Sequence, residues 1–126
     1  MFSSTSSTRS LGRSTGSREL EAAKARLDRL DLYPAPVHIA RVRVFVWPLL
    51  FRLPWFRRFD GYAAWNTIFL RGPELDADLL THELCHVWQM QHRPVAMPLS
   101  YLRSGYDANP YEAEARFAVD ATSAGA

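Results

Sequence analysis

The stretch Thr81-His-Glu-Leu-Cys-His-Val-Trp-Gln89 carries two histidines four positions apart, with a glutamate directly after the first. On a helix at about 100° per residue, His82 and His86 differ by about 40° and one turn of rise, so both imidazoles can converge on one ion. Glu83 lies beside them, while Leu80, Leu84 and Val87 fall on the opposite side. That pattern gives one face to a core and the other to a cleft. The spacing therefore predicts a long helix, over Pro73 to about Gln91, with acidic residues in its first turns where the helix dipole favours them. Pro94 stops it. An exposed helix that happens to bear two histidines and a glutamate would satisfy the same spacing without a metal.

Zinc takes about four ligands, and a catalytic site draws about three from the protein, leaving one position open. Glu83 sits too far round the helix to ligate well and is placed to act as general base. Two residues compete to be the third ligand. His92 stands where a histidine-rich variant of the motif puts its last ligand, but that variant needs a glycine to turn the chain back, and here the position is Gln89. On a continuing helix His92 falls about 15 Å beyond His82 and about 80° off its face, out of reach. The other candidate is Glu112, within Asn109-Pro-Tyr-Glu-Ala-Glu-Ala115. A returning helix presenting this carboxylate would complete a His, His, Glu set. Asn109 as N-cap and Glu112 three residues later also satisfy a capping box, so both roles stay open for Glu112. Glu114, about 160° round the helix, ranks behind it.

Outward from the motif, Leu20, Leu27 and Leu30 recur at near-helical spacing, which predicts an amphipathic helix over Arg18 to Leu32, ended by Pro34 and Pro36. Val42, Val44 and Val46 alternate as in a strand, and further strands are expected at Tyr62 to Trp65 and Thr67 to Leu70. A short helix is expected over Leu99 to Arg103, and a last one opens at Asn109-Pro110. The fold class expected is α+β: about three strands, mixed or antiparallel, packed on the motif helix and a C-terminal helix.

The chain has 126 residues, enough for one domain. With 48% hydrophobic and 22% charged residues it can bury a core, and we expect it over 18–126, preceded by a disordered Ser/Thr/Arg-rich tail over 1–17. The net charge of +2, with no basic stripe interleaved with aromatics, argues against nucleic acid. Cys85 is the single cysteine, excluding an intrachain disulfide and a cysteine-based zinc site, and it reads as a buried filler. No apolar run reaches the roughly 20 residues of a membrane helix, and the first residues lack the apolar centre of a secretory signal. A soluble protein is expected; the compartment stays open, with the cytoplasm favoured. The segment Leu53-Pro-Trp-Phe-Arg-Arg-Phe59 could fold over the cleft or touch a membrane or partner.

The pairing of His82-Glu-Leu-Cys-His86 with Asn109-Pro-Tyr-Glu-Ala-Glu-Ala115 resembles the gluzincin branch of zincin metallopeptidases, and most of all small bacterial zincin-like proteins. The likeness spans about Trp65 to Asp120. It implies a zincin-like domain, one zinc ion per chain on His82, His86 and Glu112, and Glu83 as the base that hydrolyses peptide bonds through metal-activated water. It also implies that the Thr67 to Leu70 strand is the sheet edge beside the cleft, where a peptide or protein substrate could add as a strand. One departure stands out: gluzincins often carry an aspartate four residues after the ligand glutamate, to orient a ligand histidine, and this chain has Arg116. Arg116 could pair with Glu112 instead, leaving another acceptor such as Asp120 to do the orienting. A catalytically weak or inactive zincin-fold binding module is the alternative expectation. Tyr101, Tyr106, Tyr111 and His38 are all able to donate to an oxyanion, and the sequence does not choose among them.

Overall fold

The computed structural model describes residues 8–123. It is an α+β fold: α1 (Thr8–Asp28), β1 (Arg43–Val46), a short 3-10 turn (Leu50–Arg52), β2 (Gly61–Ala64), β3 (Thr67–Leu70), α2 (Ala77–His92), α3 (Ala96–Ser104) and α4 (Pro110–Thr122). Among the described residues no helix is long and apolar enough to cross a membrane.

The motif helix α2 runs through the middle of the molecule. Ten of its residues, from Leu80 to Met90, are buried. It packs against α1, α4 and the sheet at once, which is why its apolar positions spread almost all round instead of forming one stripe. Its start lies four residues later than the sequence predicts. Asp76, not Pro73, opens it, its side chain accepting the backbone N–H groups of Asp78 and Leu79 at 2.8 and 3.1 Å. A free N-terminus of a helix offers unsatisfied donors, and the aspartate takes two of them.

Helix α1 docks through Leu20, Ala23 and Leu27, all buried. It ends at Asp28, short of Leu32, and begins at Thr8, ten residues before the expected Arg18 start. Residues 8–17, expected to belong to the tail, lie within the bounds of α1; residues 1–7 lie outside the described residues. No proline interrupts 8–28, and extending an already docked helix adds a hydrogen bond per residue without a new nucleation cost.

The sheet is three-stranded and mixed, in the order β1-β3-β2, with β3 parallel to β1 and antiparallel to β2. The strand at Thr67 to Leu70, expected at the edge, is the central one. It is the strand with two fully buried side chains, Ile68 and Leu70, and both β1 and β2 pair with it. The edge beside the motif helix is β2. The β2–β3 connection is the pair Trp65-Asn66, with Trp65 at φ 54°, so Trp65 belongs to the turn and not to the strand. A bulky residue at positive φ is strained. Its backbone N–H contacts Met90 Sδ at 3.3 Å, and its indole N–H donates to the Pro94 carbonyl at 3.0 Å, tying the turn to α2 and to the α2–α3 link.

Candidate metal centre

Helix α4 brings a carboxylate, the third candidate ligand, to the two histidines. Asn109 caps it, its side chain accepting from the backbone N–H of Tyr111 at 2.7 Å and of Glu112 at 3.3 Å. Pro110 occupies the first helical position. The Glu112 side chain does not complete a capping box. It turns inward, fully buried, with Oε2 at 2.9 Å from His82 Nε2 and Oε1 at 2.9 Å from His86 Nε2. The two Nε2 atoms are 3.2 Å apart. One ligand atom from each of His82, His86 and Glu112 lies within 4.8 Å of the others, so the group could hold a metal ion. A tetrahedral ion with bonds of about 2.0–2.1 Å separates its ligands by about 3.3 Å, a few tenths of an ångström from these contacts.

The orientation of His86 shows which nitrogen is free for a ligand bond. Gln89 donates its amide N–H groups to the Tyr111 carbonyl at 2.8 Å and to Glu114 Oε1 at 3.0 Å. Its oxygen must therefore face His86 Nδ1, 2.8 Å away, and accept a hydrogen bond from the ring N–H there. In the neutral ring that fixes the tautomer and leaves the Nε2 lone pair pointing at the site. Glu114 Oε1 also accepts the Tyr33 hydroxyl at 2.6 Å. Glu114, ranked second as a ligand from sequence, thus supports the candidate ligand His86 through Gln89. Asp120 is exposed and takes no part. Gln89 and Tyr33 were missed by sequence reasoning; the one available signal was the helical offset of Gln89 from His86, one turn on.

The remaining sequence candidates separate cleanly. His92 stacks on Tyr33, with centroids 5.0 Å apart, and its Nε2 lies 3.3 Å from the Ala35 carbonyl, well away from the site. Tyr106 donates to Glu112 Oε2 at 2.9 Å and Tyr101 to Oε1 at 3.4 Å. His38 is exposed and pairs through its backbone with Gln91, and Tyr111 meets the network only through its carbonyl. Cys85 is fully buried in the core. Arg116 does approach Glu112, with Nε at 3.5 Å from Oε2, but half its side chain is in solvent, where such a pair is worth little.

The electrostatics follow from burial and from this clustering. Burial opposes charge on Glu112, yet the hydrogen bonds from His82 and His86 outweigh it and hold the carboxyl below the usual range. For His86, burial again works against the charged form, and the Glu112 hydrogen bond, with Glu83 and Gln89, overcomes it and raises the pKa. Glu83 is raised, chiefly by burial. Burial and Glu112 push Tyr106 up to about 12, so its phenol is a donor at neutral pH.

Glu83 faces a cavity of about 490 Å³ bounded by β2, the 55–59 segment, α2 and α3. Phe56, Phe59, Tyr62, Met97 and Tyr101 are among its walls, and its lining contains no charged group besides Glu83 and His86. No described residue donates a hydrogen bond to the Glu83 carboxylate, which leaves it free to take a proton from a molecule in the cavity. Gly61 on the edge strand makes room for it: a Cβ there would sit 3.1 Å from Glu83 Cγ and 3.3 Å from its Oε2. No protein-family model, curated protein or solved structure matches the chain.

Proposed function

We propose that the chain is a zincin-like, zinc-dependent peptidase of the gluzincin type, with His82, His86 and Glu112 as ligands and Glu83 as general base. The observation that carries this reading is the convergence of the three ligand atoms within 4.8 Å beside an unpartnered, buried glutamate. A carboxylate with two imidazoles is a donor set suited to zinc, and the Nδ1 of His86 is already committed to Gln89. Bound there, zinc supplies a Lewis acid that polarises a carbonyl and acidifies water.

The chain's own groups account for the other needs of hydrolysis. Glu83 accepts the proton of the attacking water at its carboxylate and returns it to the leaving amine. Tyr106 and Tyr101 present phenolic O–H groups beside Glu112, where they can donate to an oxyanion. The outer edge of β2, which pairs only with β3 among the described strands, offers free backbone groups along the cavity, and an extended peptide would add there as a further strand. The aromatic walls select a large apolar side chain.

The test is metal content and hydrolysis read together. Wild type should hold about one zinc per chain and cleave unstructured peptides. Glu83→Gln should keep the zinc and lose hydrolysis, and Glu112→Ala should lose both. Zinc retained at full stoichiometry in Glu112→Ala sinks the ligand assignment. A second reading, a metal-holding module without turnover, draws on the approach of Arg116 to Glu112 at 3.5 Å; it wins if wild type and Glu83→Gln behave alike on a peptide library while both carry zinc.

A further inference from the structure

Beside the cleft, the molecule has a face that the described residues leave uncovered. The sheet turns Val44, Ala63 and Ile68 towards the core and Phe45, Phe69 and Tyr62, aligned by the register of the strands, to the other side. Phe45 stacks on Phe69 at 6.2 Å and Trp47 leans on Phe69 at 5.6 Å. The chain then continues through Leu49, Leu53 and Trp55, whose side chains are spent on solvent: Leu49 is 63% exposed and Trp55 69%. Folding leaves much of their apolar surface in water.

Along the chain segment that carries this face the charge is one-sided, although Glu21 of α1 shares a surface depression with Arg43 and Phe45. From Leu32 to Phe59 there is no aspartate or glutamate, and there are five arginines. Arg58 pairs with Asp107 at 2.7 Å; Arg41, Arg43, Arg52 and Arg57 are exposed and have no ion pair among the described residues. Arginine excess and exposed aliphatic side chains together narrow the choice of occupant. A second copy of the same face would set arginines against arginines. Nucleic acid would use the arginines and the rings but leave Leu49 and Leu53 in water. An anionic bilayer satisfies both, because aromatic and aliphatic groups enter the headgroup–acyl boundary while arginines reach the lipid charges.

We propose that the exposed face of β1 with the 47–58 segment docks on an anionic lipid surface. Neither the metal nor peptidase activity is needed for this. Trp55 and Tyr62 also line the cavity beside Glu83, so docking brings the mouth of the cleft to the lipid.

The experiment is sedimentation of the full chain with vesicles of phosphatidylcholine alone and of phosphatidylcholine mixed with phosphatidylserine. The chain should sediment with the mixed vesicles and not with the neutral ones, and binding should weaken as salt rises. Replacing Arg41 and Arg43 by serine should weaken binding about fivefold for each arginine, and Leu49→Ser with Trp55→Ser about tenfold or more. No sedimentation of wild type with mixed vesicles overturns the proposal. So does equal binding to both compositions, or retention of a single-stranded oligonucleotide in place of vesicles.

Discussion

Single side chains decide how tightly the proposed centre would hold a metal. Gln89 is the clearest case, since its amide is pinned by the Tyr111 carbonyl and Glu114 and can only accept from His86. Gln89→Leu keeps the volume and removes the acceptor. It should lower zinc affinity roughly 10- to 100-fold, the usual effect of losing a group that orients a ligand histidine, while far-UV circular dichroism stays unchanged. Titration of zinc against a competing chelator measures this, and unchanged affinity would show that Gln89 merely fills the core. Arg116 makes the opposite case. Its guanidinium, half in solvent at 3.5 Å from Glu112, competes with a cation for the same carboxylate, so Arg116→Gln should tighten zinc severalfold in the same titration. A weakened affinity would mean that the arginine positions Glu112 and does not compete for it.

At the scale of elements, the edge strand and the motif helix are coupled through a missing side chain. A Cβ at Gly61 would meet Glu83 Cγ at 3.1 Å and Leu79 Cδ1 at 3.2 Å, so Gly61→Ala must displace Glu83, the proposed general base, or push β2 outward. Zinc content should be retained and turnover should fall on the order of tenfold to a hundredfold, as small misplacements of catalytic groups cost; equal turnover in the variant would remove Glu83 from its assigned role. Which of these couplings could be read beforehand depends on how local they are. His82, Glu83 and His86 repeat at the helical period, and Asn109-Pro110 marks where α4 starts, so the approach of Glu112 to the two histidines was legible and its capping alternative could be framed. The support for His86 was not legible, because it joins residues on separate elements, with Tyr33 and Glu114 separated by 81 positions. The order of the strands was equally out of reach. A period-two pattern says which face of a strand is buried but not which strands flank it, and a tryptophan at positive φ is not a residue that marks a turn.

For the whole molecule, the clustered charges make metal-free and metal-bound protein respond to pH in opposite directions. Folded His86 holds its proton more tightly than its ordinary 6.5, so the stability it contributes is complete below that value and is lost as pH rises through the higher folded pKa. Glu83, raised above 4.5 mainly by burial, adds a loss of the same sign. Glu112, held below 4.5, contributes stability above that value and gives it up as pH falls through its depressed folded pKa. The metal-free chain should therefore become less stable as pH climbs past 6.5. Zinc needs both imidazoles deprotonated, so its binding strengthens over the same range. At about a hundredfold excess over its dissociation constant it adds about 2.7 kcal/mol. Thermal unfolding from about pH 6 to about pH 8, with zinc and with chelator, should show the two melting curves diverging as pH rises. Parallel curves would mean that protons and metal do not compete for His82, His86 and Glu112, and that the convergence of these three side chains is a buried ion pair alone.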